Sequence, residues 1–271
     1  MKLIRFVSET GEVLMGSYEP DHPGETRIVE GDLFGERRLT DRRVRIGRLL
    51  PPVDPPNILC IGLNYRGHAE ETQARLPEIP VMFIKATTAV MAAGETILLP
   101  AAGPDQVDYE AELALVIGRR AKNITPDEAL DYVLGYTCAN DVSARDWQKD
   151  KQQKQWARGK SFDTFCPLGP CLVTKDEITD PNRLRLRSIL NGRVLQDSNT
   201  SDMIFNIQAL ISNLSRSITL LPGTVILTGT PQGVGFTRQP PVFLREGDLI
   251  TIEIEGIGSL TNPVAKEQGN P

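Results

Sequence analysis

The stretch Val107–Gly118, VDYEAELALVIG, limits the fold more than any other part of the chain. Apolar and β-branched residues alternate with acids, the period-two pattern of a β-strand. Successive strand side chains point to opposite faces. Asp108, Glu110 and Glu112 are therefore expected to share one face, and Tyr109, Ala111, Leu113 and Leu115 the other. Adjacent like charges at this spacing repel by about 2–3 kcal/mol at an effective dielectric of about 20. That exceeds the ~1 kcal/mol span of strand propensity. If the acidic face is buried it has to be neutralised, and all-oxygen ligands suit Mg²⁺, Mn²⁺ or Ca²⁺. Taken alone, the stretch more readily describes an edge strand with a wet outer face; the remainder of the chain reverses that order.

The 271 residues allow one large domain, or one domain and a small one. A net charge of −5 gives no reason to expect nucleic acid as a partner. No apolar run reaches the length of a membrane span. The opening MKLIRFVSETGE carries charges inside its apolar run, unlike a signal peptide. Cys60, Cys138, Cys166 and Cys171 show no CxxC pairing and are expected to be small core residues of a cytoplasmic protein. With only two histidines, His22 and His68, a histidine-rich zinc or iron site is nearly excluded.

Residues 1–52 read as a small β subdomain, with strands at Lys2–Val7, Glu12–Tyr18 and Thr26–Glu30. The arginines of Glu36–Arg48 are interleaved with acids, so a solvated face is expected there and not a nucleic-acid patch. The proline-rich Leu50–Asn57 leads into residues 53–271, the main domain. Ile58–Leu63 reads as a buried strand followed by a helical turn, on which His68 and Glu71 face the same side. A carboxylate beside an imidazole raises its basicity and fixes its tautomer, as a general base requires. Pro126–Val133 is expected to be a short helix capped by Thr125. Leu134–Asn140 is another buried run, and Asp141 at its end supplies a third carboxylate oxygen donor, followed by Arg145 and Gln148 within reach of an acidic substrate. Lys149–Lys154 reads as a mobile loop or exposed helix end. Lys160, set among apolar residues, would neutralise an enolate or carboxylate. Asn191-Gly192 marks a hairpin, and Met203–Ile218 an amphipathic helix. Thr228–Gly235, TGTPQGVG, is a glycine-rich loop whose backbone N–H groups can approach an anion, although it lacks a Walker lysine.

In order, NYRGHAEE, VDYEAELALVIG, ANDVSARDWQ, GKSFDTFCPLGP, LNGRVLQDSNTSDMIF and VILTGTPQGVG match one family. From about residue 57 onward the chain resembles the fumarylacetoacetate hydrolase family, and within it the mitochondrial domain-containing members and their bacterial relatives. The resemblance implies an α+β, mostly β fold, a mixed β-sandwich roll with short helices, usually dimeric. It implies Mg²⁺ or Mn²⁺ held by Glu110, Glu112 and Asp141, a His68–Glu71 dyad on a lid, and Lys160 facing the reaction centre. Arg145, Gln148 and Thr230 match positions lining the substrate site. Asp108 falls outside the ligand set and is expected behind it.

The activity so implied is hydrolysis of a C–C bond in a 1,3-diketo or 2-oxo acid, acylpyruvate- or fumarylacetoacetate-like. Oxaloacetate tautomerisation or decarboxylation would use the same enolate site without an attacking water. Isomerases or hydratases of aromatic catabolism are a third option, and a non-catalytic metal-binding protein lies outside the enzyme class. The substrate pocket is expected to draw on lid residues near Gln73–Glu78 and Lys149–Gln155.

Overall fold

The computed structural model describes residues 1–22, 24–151 and 153–268. Its centre is made by three runs, Ala111–Ile117, Val133–Asn140 and Cys166–Thr174, in which every residue is buried. A strand hidden on both faces needs a continuous apolar run rather than alternation, which is how LGYTCAN and CPLGPCLVT read. These strands lie side by side and antiparallel in the larger sheet, Ala111–Ile117 against Val133–Asn140 and that strand against Cys166–Thr174. Beyond Ala111–Ile117 the sheet continues through Val225–Leu227 and Ile58–Gly62 to an edge at Val81–Lys85. A second sheet, Arg193–Asn199, Arg185–Leu190, Leu249–Ile254, Gly258–Lys266 and Ile97–Leu99, packs across the central three. The result is a mostly β sandwich with few helices, as the resemblance implies. Cys60, Cys138, Cys166 and Cys171 are all reduced and buried within it.

The N-terminal strands Lys2–Ser8, Val13–Ser17, Glu25–Gly31 and Arg37–Leu50 pair among themselves, Lys2–Ser8 touching both Val13–Ser17 and Arg37–Leu50. The first residues of Lys2–Ser8 also pair with Cys166–Thr174, joining this unit to the large sheet. The arginines of Arg37–Leu50 face outward, and Arg38 and Arg43 bond to Glu30, Glu19 and Glu25.

Several local expectations are corrected. Val107–Gly118 is not one strand: it divides into Val107–Asp108 and Ala111–Ile117. The Glu110 N–H donates to the Asn140 side chain and the Ala111 N–H to Gln196, so side-chain acceptors replace ladder partners at the break. Asp108 instead pairs with Ser143 in a separate two-stranded ribbon. The helix expected over Pro126–Val133 is a 3₁₀ turn, Ala129–Tyr132, and the Glu128 carboxylate accepts from both the Thr125 hydroxyl and the Thr125 N–H. The helix expected from Met203 begins at Ile207, where the Asn206 side chain accepts from the Ala209 N–H. Upstream, Met203 is held in a bridge with Tyr65. Lys149–Lys154, expected as a mobile loop or an exposed helix end, begins as the second: Lys149–Lys151 is the exposed end of a π-helical turn, Trp147–Lys151. The hairpin at Asn191-Gly192 forms with both residues at positive φ, 50° and 81°.

Candidate metal centre and active site

Strand register brings the acids together. Ala111 pairs with Asn140 and Glu112 with Ala139, so Asp141 follows directly after the paired end of the neighbouring strand. The Asp141 N–H donates to the Glu110 carbonyl at 3.0 Å, and the Asn140 amide oxygen accepts from the Glu110 N–H at 3.0 Å. One ligand oxygen from each of Glu110, Glu112 and Asp141 lies within 4.8 Å of the others, and all three residues are buried.

Three cations surround this cluster. Lys160 Nζ donates to Glu110 Oε2 at 2.8 Å and to Asp141 Oδ2 at 2.6 Å. Lys85 Nζ binds the other Asp141 oxygen, and the Val142 carbonyl at 3.2 Å. Arg145 contacts Asp108 through Nε at 2.9 Å and Glu110 through Nη1 at 2.7 Å. Asp108 is therefore a support: its two oxygens also accept from the N–H groups of Tyr109, Gly235 and Phe236. The four carboxylates Asp108, Glu110, Glu112 and Asp141 face three cations, Lys85, Arg145 and Lys160, a balance of −4 + 3 = −1.

That surplus falls on Glu112, whose hydrogen-bond donor is the Gly229 backbone N–H at 2.7 Å. Burial, with Asp141 and Glu110 beside it, pushes the Glu112 carboxyl well above the usual carboxylate range. Glu110 behaves oppositely: burial raises it, but Lys160 and Arg145 together outweigh burial and hold it at about 2. Lys160 is raised despite burial by Asp141 and Glu110.

A divalent ion fits this donor set. All three ligands are oxygens, which hard cations prefer. A carboxylate oxygen that accepts one hydrogen bond keeps a second lone pair. A +2 charge would convert the balance of −1 to +1 and oppose the upward push on the Glu112 carboxyl.

The second assembly is the dyad. Arg66–Glu71 is a helical turn on which His68 Nδ1 meets Glu71 Oε1 at 2.6 Å. Among the described residues, His68 Nε2 is left free for proton transfer. The other Glu71 oxygen accepts from the Gly233 N–H at 2.9 Å and the Thr237 hydroxyl at 3.1 Å. The glycine-rich loop thus does approach anions, and they are the chain's own carboxylates: Gly229 N–H binds Glu112, Gly233 N–H binds Glu71 and Gly235 N–H binds Asp108. Gly229 sits at φ +98°, and a Cβ there would lie 2.7 Å from the Asn64 Cβ. Asn64 in turn ties the His68 segment to this loop, donating to the Thr228 carbonyl at 2.7 Å and to that of Phe205 at 3.1 Å.

Both assemblies open onto one cavity of about 480 Å³. His68, Glu71, Glu110, Glu112, Arg145, Gln148, Lys160 and Thr230 line it; Asp141 lies fully buried behind them. Arg145 and Gln148 are bonded to each other at 2.9 Å, which leaves Arg145 Nη2 as a buried donor with no partner. Ala74 and Lys149, from the two expected lid segments, also reach the wall; Gln152 of the second lies outside the described residues. Sequence reasoning missed Lys85, Gln196 and Phe236. Lys85 ends an apolar strand, PVMFIK, where a basic residue in line with buried neighbours was a usable signal. Gln196 is buried in a hairpin strand and donates to Thr230 Oγ1 at 2.8 Å and to the Pro231 carbonyl at 2.9 Å; its spacing distinguishes it from no surface glutamine.

A buried carboxylate triad beside a histidine dyad, on a mostly β sandwich, defines a family of enzymes. Residues 57–265 match the family model described as fumarylacetoacetate (FAA) hydrolase C-terminal, and the chain belongs to the fumarylacetoacetate hydrolase family. A mitochondrial oxaloacetate tautomerase of Xenopus laevis is 50% identical over 222 residues, 82% of this chain and 69% of that protein. The solved structure of a 5-carboxymethyl-2-hydroxymuconate delta-isomerase from Mycobacterium smegmatis superposes with a TM-score of 0.85 at 42% identity, covering 98% of this chain and 100% of that one. A fumarylacetoacetate hydrolase from Exiguobacterium antarcticum superposes with a TM-score of 0.84 at 37% identity, covering 98% and 100%. Among the described residues, no helix is long and apolar enough to cross a membrane.

Proposed function

We propose that this protein is a divalent-metal-dependent tautomerase of a small 2-oxo acid of the oxaloacetate type. The observation that carries the proposal is the meeting, in one cavity, of a proton-transfer dyad, a three-carboxylate cation site and a buried lysine. The likeness to an oxaloacetate tautomerase at 50% identity favours tautomerisation over the C–C hydrolysis first expected.

Glu110, Glu112 and Asp141 would hold Mg²⁺ or Mn²⁺, which when bound supplies Lewis-acid polarisation of the 2-oxo group. His68 Nε2 removes a proton from C3; the C3–H electron pair moves into the C2–C3 bond and the carbonyl pair onto O2, and the His68 imidazolium returns that proton to O2, giving the enol and the neutral imidazole. Glu71 keeps the imidazole in the tautomer that accepts at Nε2. The Lys160 ammonium stabilises the enolate charge as it develops. Arg145 Nη2, the buried donor without a partner, takes a substrate carboxylate, while Gln148 and Asp108 fix the guanidinium. Gln196 orients the Thr230 hydroxyl. Water takes no part in these steps.

The likeness to a fumarylacetoacetate hydrolase supports a second reading, in which His68 activates water against a distal carbonyl. The deciding experiment is a product-resolved assay of oxaloacetate and acylpyruvates with Mg²⁺. Enzyme-accelerated exchange between keto and enol oxaloacetate supports the proposal. Two carbon fragments from an acylpyruvate, with no effect on the oxaloacetate tautomers, support hydrolysis. Pyruvate and CO₂ indicate decarboxylation.

A further inference from the structure

We propose that Lys149 is a specificity-determining residue that selects substrates carrying a second carboxylate, distal to the 2-oxo acid end. The inference rests on the 2-oxo acid reading above and adds to it a preference for dicarboxylates. Arg145, Gln148 and Lys149 follow one another at i, i+3 and i+4 along the helical turn that starts at Arg145, so they share its cavity side, and all three line the wall.

Their electrostatic positions differ. The Arg145 guanidinium is already neutralised by Asp108 and Glu110. Lys149 has no carboxylate within ion-pair distance among the described residues; its ammonium rests on the Phe236 ring, 3.5 Å from the centroid, with the Arg145 guanidinium over the same ring at 4.5 Å. A cation placed on an aromatic face at a cavity wall holds its position without being neutralised. Lys149 is thus an un-neutralised cation on the cavity wall, and a charge-assisted hydrogen bond from its ammonium to a carboxylate is stronger than its contact with the ring. A cavity of about 480 Å³ has room for a chain with a carboxylate at each end.

The test compares matched ligands on the Mg²⁺-loaded protein. Binding of 2-oxoglutarate and of 2-oxopentanoate, which differ only in the distal carboxylate, is measured by calorimetry for the wild type and for Lys149→Met, which keeps the stem over Phe236. Lys149→Met is expected to weaken 2-oxoglutarate roughly 10- to 100-fold while 2-oxopentanoate changes by less than about twofold. Lys149→Arg is expected to restore the preference. For oxaloacetate the change should appear in KM and leave kcat near its wild-type value. The unchanged monocarboxylate affinity certifies that the variant is folded; Lys149→Gln serves if Lys149→Met is not. Equal loss for both ligands, no loss for either, or a wild type that binds the two equally would overturn the assignment. Because the readout is binding, a wild type that discriminates the ligands yet leaves oxaloacetate unaltered would sink the tautomerase reading alone.

Discussion

At the scale of single residues, the informative acid is Glu112. It is the one carboxylate of the cluster whose ionisation the surrounding lysines and arginine leave uncompensated, and its folded-state pKa is raised. A raised folded pKa makes the protein most stable below the unfolded value, about 4.3 for Glu, and costs stability as pH rises through the folded value. Metal-free Glu112→Gln is therefore expected to be more stable than metal-free wild type at pH 8. The difference should close below about pH 4, as followed by denaturant unfolding across pH. Glu110 runs the other way: held at about 2, it contributes stability above its unfolded pKa that is lost as pH falls through about 2. At the dyad, His68→Ala is expected to lower turnover of the 2-oxo acid by about 10²–10⁴-fold and leave divalent-cation affinity unchanged. Steady-state kinetics beside a Mn²⁺ titration of the same variant checks both halves.

At the scale of elements, the loop Thr228–Gly235 sets the geometry, because its N–H groups hold Glu112, Glu71 and Asp108 at once. Gly229→Ala forces an L side chain to φ +98° and against Asn64. A loss of about 1–3 kcal/mol in unfolding free energy is expected, with weaker cation binding because the N–H on Glu112 moves. An unchanged midpoint and cation affinity would separate this loop from the site. The same loop explains what the sequence withheld. Its glycines advertise a backbone that can approach an anion, but not that the anions are carboxylates 117 to 162 residues away. The strand break at Tyr109–Glu110 was hidden for a related reason. Alternation in VDYEAELALVIG looks continuous, and the Asn140 and Gln196 side chains that interrupt the ladder come from distant segments. By contrast, the His68–Glu71 pair was legible because both partners sit on one helical turn, and the buried central strands were legible from apolar runs that need no partner to identify.

At the scale of the whole molecule, the sandwich delivers acids from two strands to one point through pairing register, and covers them with the segment carrying His68. Ligand binding at such a site is linked to global stability. Mg²⁺ or Mn²⁺ at about 100 times its Kd is expected to add ~2.7 kcal/mol to the unfolding free energy of the wild type. The homodimer implied by the family resemblance stays a proposal, checked by sedimentation equilibrium of the metal-loaded protein.

The central claim is that Glu110, Glu112 and Asp141 together bind one hard cation. Titration of Mn²⁺ followed by electron paramagnetic resonance tests it most directly, in the wild type and in Glu110→Gln, Glu112→Gln and Asp141→Asn. One bound ion per chain, lost or weakened by at least ~100-fold in each variant, is the expected result. Wild-type protein that binds no Mn²⁺, or variants that keep the site with undiminished affinity, would contradict the account.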